Sequence, residues 1–223
     1  GDRVTVNPLI YCGKCHYCRT GQYVMCTKLG TAGFAWDGAF AELGVFPEYG
    51  VLKIPDSVSD DAGAFVEPLA VAVHAVKRAR LQIGASVAVV GAGPIGLLVM
   101  QAARAAGAGK VFVIEPLKGR RGQVITTYGP GALIERGVWR TRKHPGLEWR
   151  LVPGDFRLTM KDVEPAPDVV FFDPFSRRTN ESEWSVETFR ALAERALGRD
   201  VEIFTYTAST AARPAMPRLP RHT

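Results

Sequence analysis

A glycine-rich loop between a predicted strand and a predicted helix constrains the fold of this chain more than any other segment. The strand is the run of small and β-branched residues at 86–90, and the helix covers residues 97–106. The loop between them has the pattern G-x-G-x-x-G and consists of Gly91, Ala92, Gly93, Pro94, Ile95 and Gly96. Strand, loop and helix in this order are typical of the start of a nucleotide-binding βαβ unit. The sequence therefore predicts an α/β fold with a mostly parallel sheet.

The residue types in this loop suit the binding of a dinucleotide. Gly91 makes the tight turn, Gly93 lets a pyrophosphate approach the backbone, and Gly96 lets the helix pack on the strand. Pro94 suits the first helical turn, where its missing N–H costs nothing. The N-terminus of the helix then faces the phosphates. The alternative is a tight strand–helix turn that binds no ligand.

A second predicted strand, residues 111–114, is followed by an acidic residue that bears on the choice of ligand. Glu115 lies 24 residues after Gly91, near the place where a carboxylate hydrogen-bonds the ribose hydroxyls of a dinucleotide. This carboxylate favours NAD. Three basic residues follow closely, at Lys118, Arg120 and Arg121. They leave NADP open as the cofactor, because basic side chains suit its 2′-phosphate.

All four cysteines of the chain lie within fifteen residues, at Cys12, Cys15, Cys18 and Cys26. The spacing C-x2-C-x2-C-x7-C allows four thiolates to converge on one tetrahedral Zn²⁺, and sites with four cysteine ligands are closed and structural. Two disulfides would need an oxidising compartment, which nothing in the sequence indicates, and free thiols are a further alternative. We therefore expect a structural zinc ion at these cysteines.

Charge and hydropathy exclude several classes of protein. The formal net charge is +6, from 28 basic and 22 acidic residues, without a long basic block of the kind that binds nucleic acid. Residues 81–103 are uncharged and long enough to span a bilayer, but glycines and a proline interrupt them at mid-depth, where a spanning helix would not cluster its breakers. We expect no membrane partner and a cytoplasmic location.

Five features of the first half occur together: Gly1-Asp-Arg-Val4, the four cysteines, Gly38-Ala-Phe-Ala-Glu42, Glu67-Pro68-Leu-Ala70 and the glycine loop. In this order they resemble the zinc-containing medium-chain alcohol dehydrogenases, and above all the butanediol, sorbitol and threonine dehydrogenase branch. The resemblance covers about residues 1–121. It implies a partial GroES-like, β-rich domain with a zinc lobe at 1–75, followed by the first half of a Rossmann-type dinucleotide-binding domain at 76–121.

The same resemblance implies an activity and a candidate catalytic residue. The family moves a hydride between a secondary alcohol and NAD, with a catalytic zinc that polarises the oxygen of the small-molecule substrate. Glu67 would belong near that zinc, as a ligand or through water; the alternative is an exposed carboxylate at a helix start. The family's other catalytic ligands, a Cys and a His, precede the Gly1 segment, and we interpret His74 as a packed or surface histidine. We therefore expect no alcohol oxidation by these 223 residues alone.

The pattern changes after Arg121. Strands are predicted near 147–152, 168–172 and 201–206, and a helix at about 186–197 with Ser185 as its N-cap and Gly198 as its stop. The stretch 122–146 is poor in periodic structure, and we expect a loose linker there with one short helix near Ala132–Arg136.

This second half resembles the methyltransferases that finish 5-methylaminomethyl-2-thiouridine in tRNA, over about residues 128–213. The matching segments are Gly154-Asp155-Phe156, Asp173-Pro-Phe-Ser176, Asn180 with Trp184, and Thr205-Tyr-Thr-Ala-Ser209. The resemblance implies that Asp155 lies near the adenine of S-adenosylmethionine and that Asp173 lines the site. Both are also explained as turn residues. The family's glycine-rich loop for S-adenosylmethionine is absent from this sequence, and tRNA is a partner only under this alternative.

Together the two halves predict an incomplete or chimeric chain with a seam near residues 118–128. A methyltransferase-like α/β half-domain would occupy 122–212, and 213–223 would be a disordered tail. Five predicted strands can form one doubly wound, mostly parallel composite sheet. The favoured function is that of a zinc-binding, NAD-dependent alcohol or polyol dehydrogenase-like oxidoreductase. The alternatives are an S-adenosylmethionine-dependent, tRNA-modifying methyltransferase-like protein and a non-catalytic, zinc-stapled nucleotide-binding domain, and a homo-oligomer is left open.

Overall fold

The computed structural model describes residues 1–115, 135–140, 148–172, 184–195 and 200–205. The chain divides into two compact units, Gly1–Pro68 and a second unit that begins at Leu69. The domain boundaries inferred from the sequence stay predictions, and the expected tail at 213–223 lies outside the described residues.

The first unit contains short strands and helices around the cysteine loop. Strand β1 (Val4–Val6) pairs antiparallel with β4 (Val51–Lys53), and β2 (Leu9–Ile10) pairs antiparallel with β3 (Gly30–Thr31). Helix α1 (His16–Arg19) lies within the cysteine loop. Helix α2 (Asp60–Ala64) begins after Ser59, whose hydroxyl accepts a hydrogen bond from Ala62 N at 3.2 Å. The guanidinium of Arg3, directly before β1, pairs with Asp60 of this helix at 2.9 Å.

The second unit is built on one six-stranded sheet. Helix α3 (Val66–Arg78) leads into strand β5 (Ser86–Val90), helix α4 (Pro94–Ala105) and strand β6 (Lys110–Glu115). The later elements are β7 (Val138–Arg140), β8 (Glu148–Pro153), α5 (Phe156–Thr159), β9 (Val169–Phe172), α6 (Val186–Arg195) and β10 (Glu202–Phe204). The strand order is β10-β9-β5-β6-β8-β7, parallel except for β7.

This order confirms the predicted composite sheet. Strand β9, from the second half of the sequence, pairs in parallel with β5, from the first half, so that Val87 lies opposite Val169. Buried side chains of both halves alternate between the two faces of the sheet, as expected of strands covered on both sides. Met100 of α4 is buried in the core on one face, and Phe189 of α6 is buried in the core on the other.

Strand β7 was not predicted from the sequence. The expected loose linker instead contains Val138–Arg140, paired antiparallel with β8 so that Trp139 lies opposite Trp149. A strand of three residues is too short for alternation to reveal it. Of the expected short helix, Glu135 and Arg136 have helical backbone, and the remaining positions lie outside the described residues.

The predicted start of the last helix is confirmed. Ser185 Oγ accepts a hydrogen bond from Thr188 N at 3.3 Å, directly before α6. The predicted stop at Gly198 lies outside the described residues. Among the helices of the described ranges, none combines the length and hydrophobicity that a membrane span requires.

Asp168 joins strands from the two halves of the sequence at the amino end of the sheet. Its Oδ2 accepts a hydrogen bond from Ser86 N, and its own N–H donates to Ser86 O, both at 2.8 Å. Its carbonyl accepts from Glu202 N at 3.1 Å. We expect Asp168→Ala to lower the free energy of unfolding by about 2 kcal/mol, because a hydrogen bond to a charged acceptor is lost and Ser86 N is left without it.

Urea unfolding followed by tryptophan fluorescence measures this effect. Asp168→Asn, which keeps an acceptor oxygen, should lose less stability than Asp168→Ala. The exposed Glu202→Gln serves as a surface control and should change the free energy of unfolding by less than about 0.5 kcal/mol. If Asp168→Ala and Glu202→Gln unfold at the same urea concentration, the proposed contribution of Asp168 is wrong.

Candidate functional site

The four cysteines converge in the first unit. Their sulfur atoms all lie within 4.8 Å of one another, and all four are free thiols. Cys18 and Cys26 are buried, and Cys12 and Cys15 are half-buried. Four sulfur atoms around a tetrahedral zinc ion, with Zn–S bonds of about 2.3 Å, would be about 3.8 Å apart. The residues present therefore fit a zinc ion. Within the described residues, no other group of three or more metal-ligating side chains converges in this way.

Local backbone geometry aims donors at these sulfur atoms. Cys26 Sγ accepts hydrogen bonds from Cys12 N at 3.4 Å and from Lys28 N at 3.3 Å. Cys12 Sγ accepts from Cys15 N at 3.4 Å. Backbone donors around thiolates stabilise their negative charge and hold the ligands in place.

The thiols of this cluster differ in acidity. Hydrogen bonds from the backbone of Cys18 and Thr27 lower the pKa of Cys15 to about 6. Burial raises the pKa of Cys18 to about 12. Because a metal binds the thiolate form, zinc must displace protons from the cluster, and its affinity must fall as the pH is lowered.

Each of the three glycines in the glycine loop meets a different geometric requirement. Gly91 has a φ of +106°, in the region that other residues rarely adopt, and its N–H donates to Ile114 O at 2.9 Å. A Cβ on Gly96 would lie 2.0 Å from Gly91 O. A Cβ on Gly93 would meet no atom within 4 Å, which leaves room beside the backbone for a ligand.

Helix α4 begins immediately at this open space. Gly93 is the N-cap residue of this helix, and Pro94 occupies the first helical turn. No acidic residue lies in this turn, so no side-chain carboxylate there competes with an anion for the helix N-terminus. Ile95 is half-buried and packs against the core under the helix. This arrangement can hold a phosphate group by backbone donors.

The sheet brings further predicted residues to the same edge. Gly91 follows β5, Glu115 is the last residue of β6, and Asp155 lies two residues after β8. These strands are parallel neighbours, so that their carboxyl ends share one edge, where open α/β sheets bind ligands. Asp173, the remaining predicted residue at this edge, lies outside the described residues.

Asp155 has partners of its own. Its Oδ1 accepts hydrogen bonds from the backbone N–H and from Nε of Arg157, both at 2.9 Å, and its Oδ2 pairs with Nη2 of the same arginine. The backbone bond caps the start of α5. Arg157 was not singled out in the sequence, although an arginine two positions after an aspartate at a strand end is a signal that could have found it.

Glu67 lies in the first turn of α3 and is exposed, as the alternative interpretation of this residue expects. Its catalytic role stays a prediction. His74, on the same helix, is also exposed.

Two protein-family models match different parts of the chain. Residues 1–56 match the alcohol dehydrogenase GroES-like domain, and residues 135–219 match the S-adenosyl-L-methionine-dependent methyltransferases. D-xylulose reductase A of Aspergillus niger is 45% identical over 121 residues, 54% of this chain and 34% of that protein. Sorbitol dehydrogenase of Bacillus subtilis is 41% identical over 121 residues, 53% of this chain and 34% of that protein. The matched part thus spans about a third of the length of these relatives.

Solved structures extend the likeness of fold over most of the chain. Galactitol-1-phosphate dehydrogenase from Escherichia coli has a TM-score of 0.63 at 21% identity, with 96% of this chain and 66% of that chain covered. L-idonate 5-dehydrogenase from Escherichia coli has a TM-score of 0.63 at 21% identity, with 96% and 63% covered. The predicted α/β fold with a Rossmann-type sheet is therefore confirmed. The first part of the chain is related to the zinc-containing medium-chain alcohol dehydrogenases, and the methyltransferase resemblance of the second part is confirmed as well.

Proposed function

We propose that this chain carries the structural zinc and the dinucleotide-binding function of an NAD-dependent polyol dehydrogenase. The observation that carries the proposal is the open space at Gly93, at the start of α4 and on the sheet edge that also holds the end of β6. The names of the relatives, D-xylulose reductase and sorbitol dehydrogenase, support polyols and their ketoses as the substrate class.

Each group of candidate site residues has a proposed role. Cys12, Cys15, Cys18 and Cys26 would hold the zinc ion. The ion would cross-link the loop and would have no open coordination position for a substrate. The glycine loop would hold the pyrophosphate, and Glu115 would accept hydrogen bonds from the ribose. NAD, when bound, supplies the hydride acceptor. Glu67 is proposed to act near a catalytic zinc ion, as a ligand or through water. A cytoplasmic location and a homo-oligomer remain proposals.

Titration calorimetry with NAD tests the nucleotide site. Gly93→Val should weaken NAD binding at least about tenfold, because its side chain fills the space that the pyrophosphate needs. Without ligand the same variant should lose no more than about 1 kcal/mol of unfolding free energy, because a Cβ meets no neighbour within 4 Å and the remaining cost is that of valine at an N-cap. Unchanged NAD affinity in Gly93→Val, or no NAD binding by the wild type, would overturn the proposal.

A second candidate function is supported by the methyltransferase match over residues 135–219. S-adenosylmethionine would then occupy the same edge, beside Asp155, and tRNA would be the macromolecular partner. The same calorimetry decides between the two, because binding of S-adenosylmethionine in preference to NAD would favour the methyltransferase-like function.

A further inference from the structure

The pair formed by Asp155 and Arg157 lies beside the predicted position of the ribose. Strand β8 runs next to β6, and Glu115 at the end of β6 lies opposite Pro153 at the end of β8. Neighbouring strands are about 4.8 Å apart, and Asp155 follows Pro153 by two residues, so it lies at the same edge of the sheet as the end of β6. Helix α5, which carries Arg157, lies against β6.

The guanidinium of Arg157 pairs with the carboxylate of Asp155 at this edge. Its Nε contacts Oδ1 of Asp155 at 2.9 Å and Oδ2 at 3.2 Å, and Nη2 contacts Oδ2, so the pairing uses both carboxylate oxygens. Both side chains are about one-third exposed, at 36% and 32%. Glu187, in the first turn of α6, is a second carboxylate near this guanidinium. Its pKa is lowered first by its own backbone N–H and by Ser185, and further by the charges of Arg190 and Arg157.

The choice between NAD and NADP depends on charge at this place. The ribose of NAD offers hydroxyl groups to a carboxylate, whereas the 2′-phosphate of NADP needs an arginine that is free to form charge-assisted hydrogen bonds. An arginine held by both oxygens of an aspartate does not offer that charge. With Asp155 in place, the edge therefore presents no uncompensated positive charge from this pair.

We propose that Asp155 and Arg157 contribute to the cofactor preference at this edge: Asp155 neutralises Arg157, so that this arginine favours NAD over NADP. This inference rests on the proposed dinucleotide function. It assigns Asp155 a positioning role through Arg157, different from the adenine contact that the methyltransferase resemblance implies. It also predicts that removal of the negative charge of Asp155, with no basic residue added, makes Arg157 available to the 2′-phosphate of NADP.

The test compares the affinities for NAD and NADP of the wild type and three variants by calorimetry. Asp155→Asn keeps an oxygen that can cap α5, because asparagine is as good an N-cap as aspartate, and it removes the charge that holds Arg157. We expect the ratio of NADP to NAD affinity to rise at least about tenfold in Asp155→Asn. The double variant Asp155→Asn/Arg157→Gln should return the ratio to within about twofold of wild type, since the gain requires the guanidinium.

Glu187→Gln is the matched control, because it removes another carboxylate whose pKa is lowered by the charge of Arg157. Its gain in the ratio should be smaller than that of Asp155→Asn. An equal gain in Glu187→Gln, a gain that survives in the double variant, or an unchanged ratio in Asp155→Asn with wild-type thermal stability would each overturn the inference. If the wild type binds neither nucleotide, the proposed function itself fails, and the two failures are thus distinguishable.

Discussion

Purified protein is expected to contain one equivalent of zinc, and the double variant Cys15→Ser/Cys26→Ser is expected to contain almost none. The four sulfur atoms already lie within 4.8 Å of one another, with backbone N–H groups directed at Cys12 and Cys26. Structural zinc sites of this kind contribute about 10 kcal/mol or more of binding free energy, and this energy is also folding energy. Loss of two ligands should therefore release the metal and unfold the cysteine loop.

Metal analysis by mass spectrometry measures the zinc content, and limited trypsin digestion measures the order of the loop. Lys14, Arg19 and Lys28 lie in or beside it and are exposed, and cleavage after them should accelerate in the double variant and after chelation. His16→Ala is the matched control: it changes a metal-binding residue type in the same loop, but the four sulfur atoms remain. Acidification should release zinc because protons compete for the thiolates. Retention of half an equivalent or more by the double variant would contradict the assignment.

Gly96→Ala is expected to destabilise the second unit by on the order of 3 kcal/mol, which overpacking against a fixed backbone can cost. The added Cβ would lie 2.0 Å from Gly91 O and 3.1 Å from Gly91 C, so backbone atoms, not a flexible side chain, would have to move. The turn at Gly91 is itself held by its hydrogen bond to Ile114 O. Relief of the clash therefore requires α4 to move away from the end of β5.

Gly93→Ala is the matched control in the same loop, because its Cβ meets nothing within 4 Å and its φ of −70° suits any residue. Differential scanning calorimetry should show the transition of Gly96→Ala roughly 10 °C below that of Gly93→Ala, as expected for such a loss of free energy in a unit of this size. Equal transition temperatures of the two variants would mean that the helix can shift without cost.

Local patterns in the sequence predicted most of the candidate site. The spacing of the cysteines is short enough that a compact loop brings their sulfur atoms together, and the roles of Gly91 and Gly96 follow from the strand and helix on either side. The single sheet was also predictable, because both halves supply apolar strands of the length that a parallel sheet needs. The pairing of β5 with β9 depends on this shared architecture and not on any sequence likeness between the halves.

Features that depend on a partner distant in the chain escaped prediction. Strand β7 forms because Val138 can pair with Arg150 of β8, and three residues carry no periodic signal of their own. The hydrogen bond between Asp168 and Ser86 joins residues 82 positions apart. Arg157 gains its interest only from the topology that places α5 against β6.

The order of the strands has a consequence for the evolution of such chains. Strand β5 is central, with β6 on one side from the same half and β9 on the other side from the second half. A genetic exchange between β6 and β8 would leave β5 and β6 to one parent gene and β8, β9 and β10 to the other. Each parent gene would then contribute only whole strands to the sheet. If the two halves come from different parents, recombination at such a point exchanges every strand of the sheet except β5 and β6, and the glycine loop between these two strands is inherited intact.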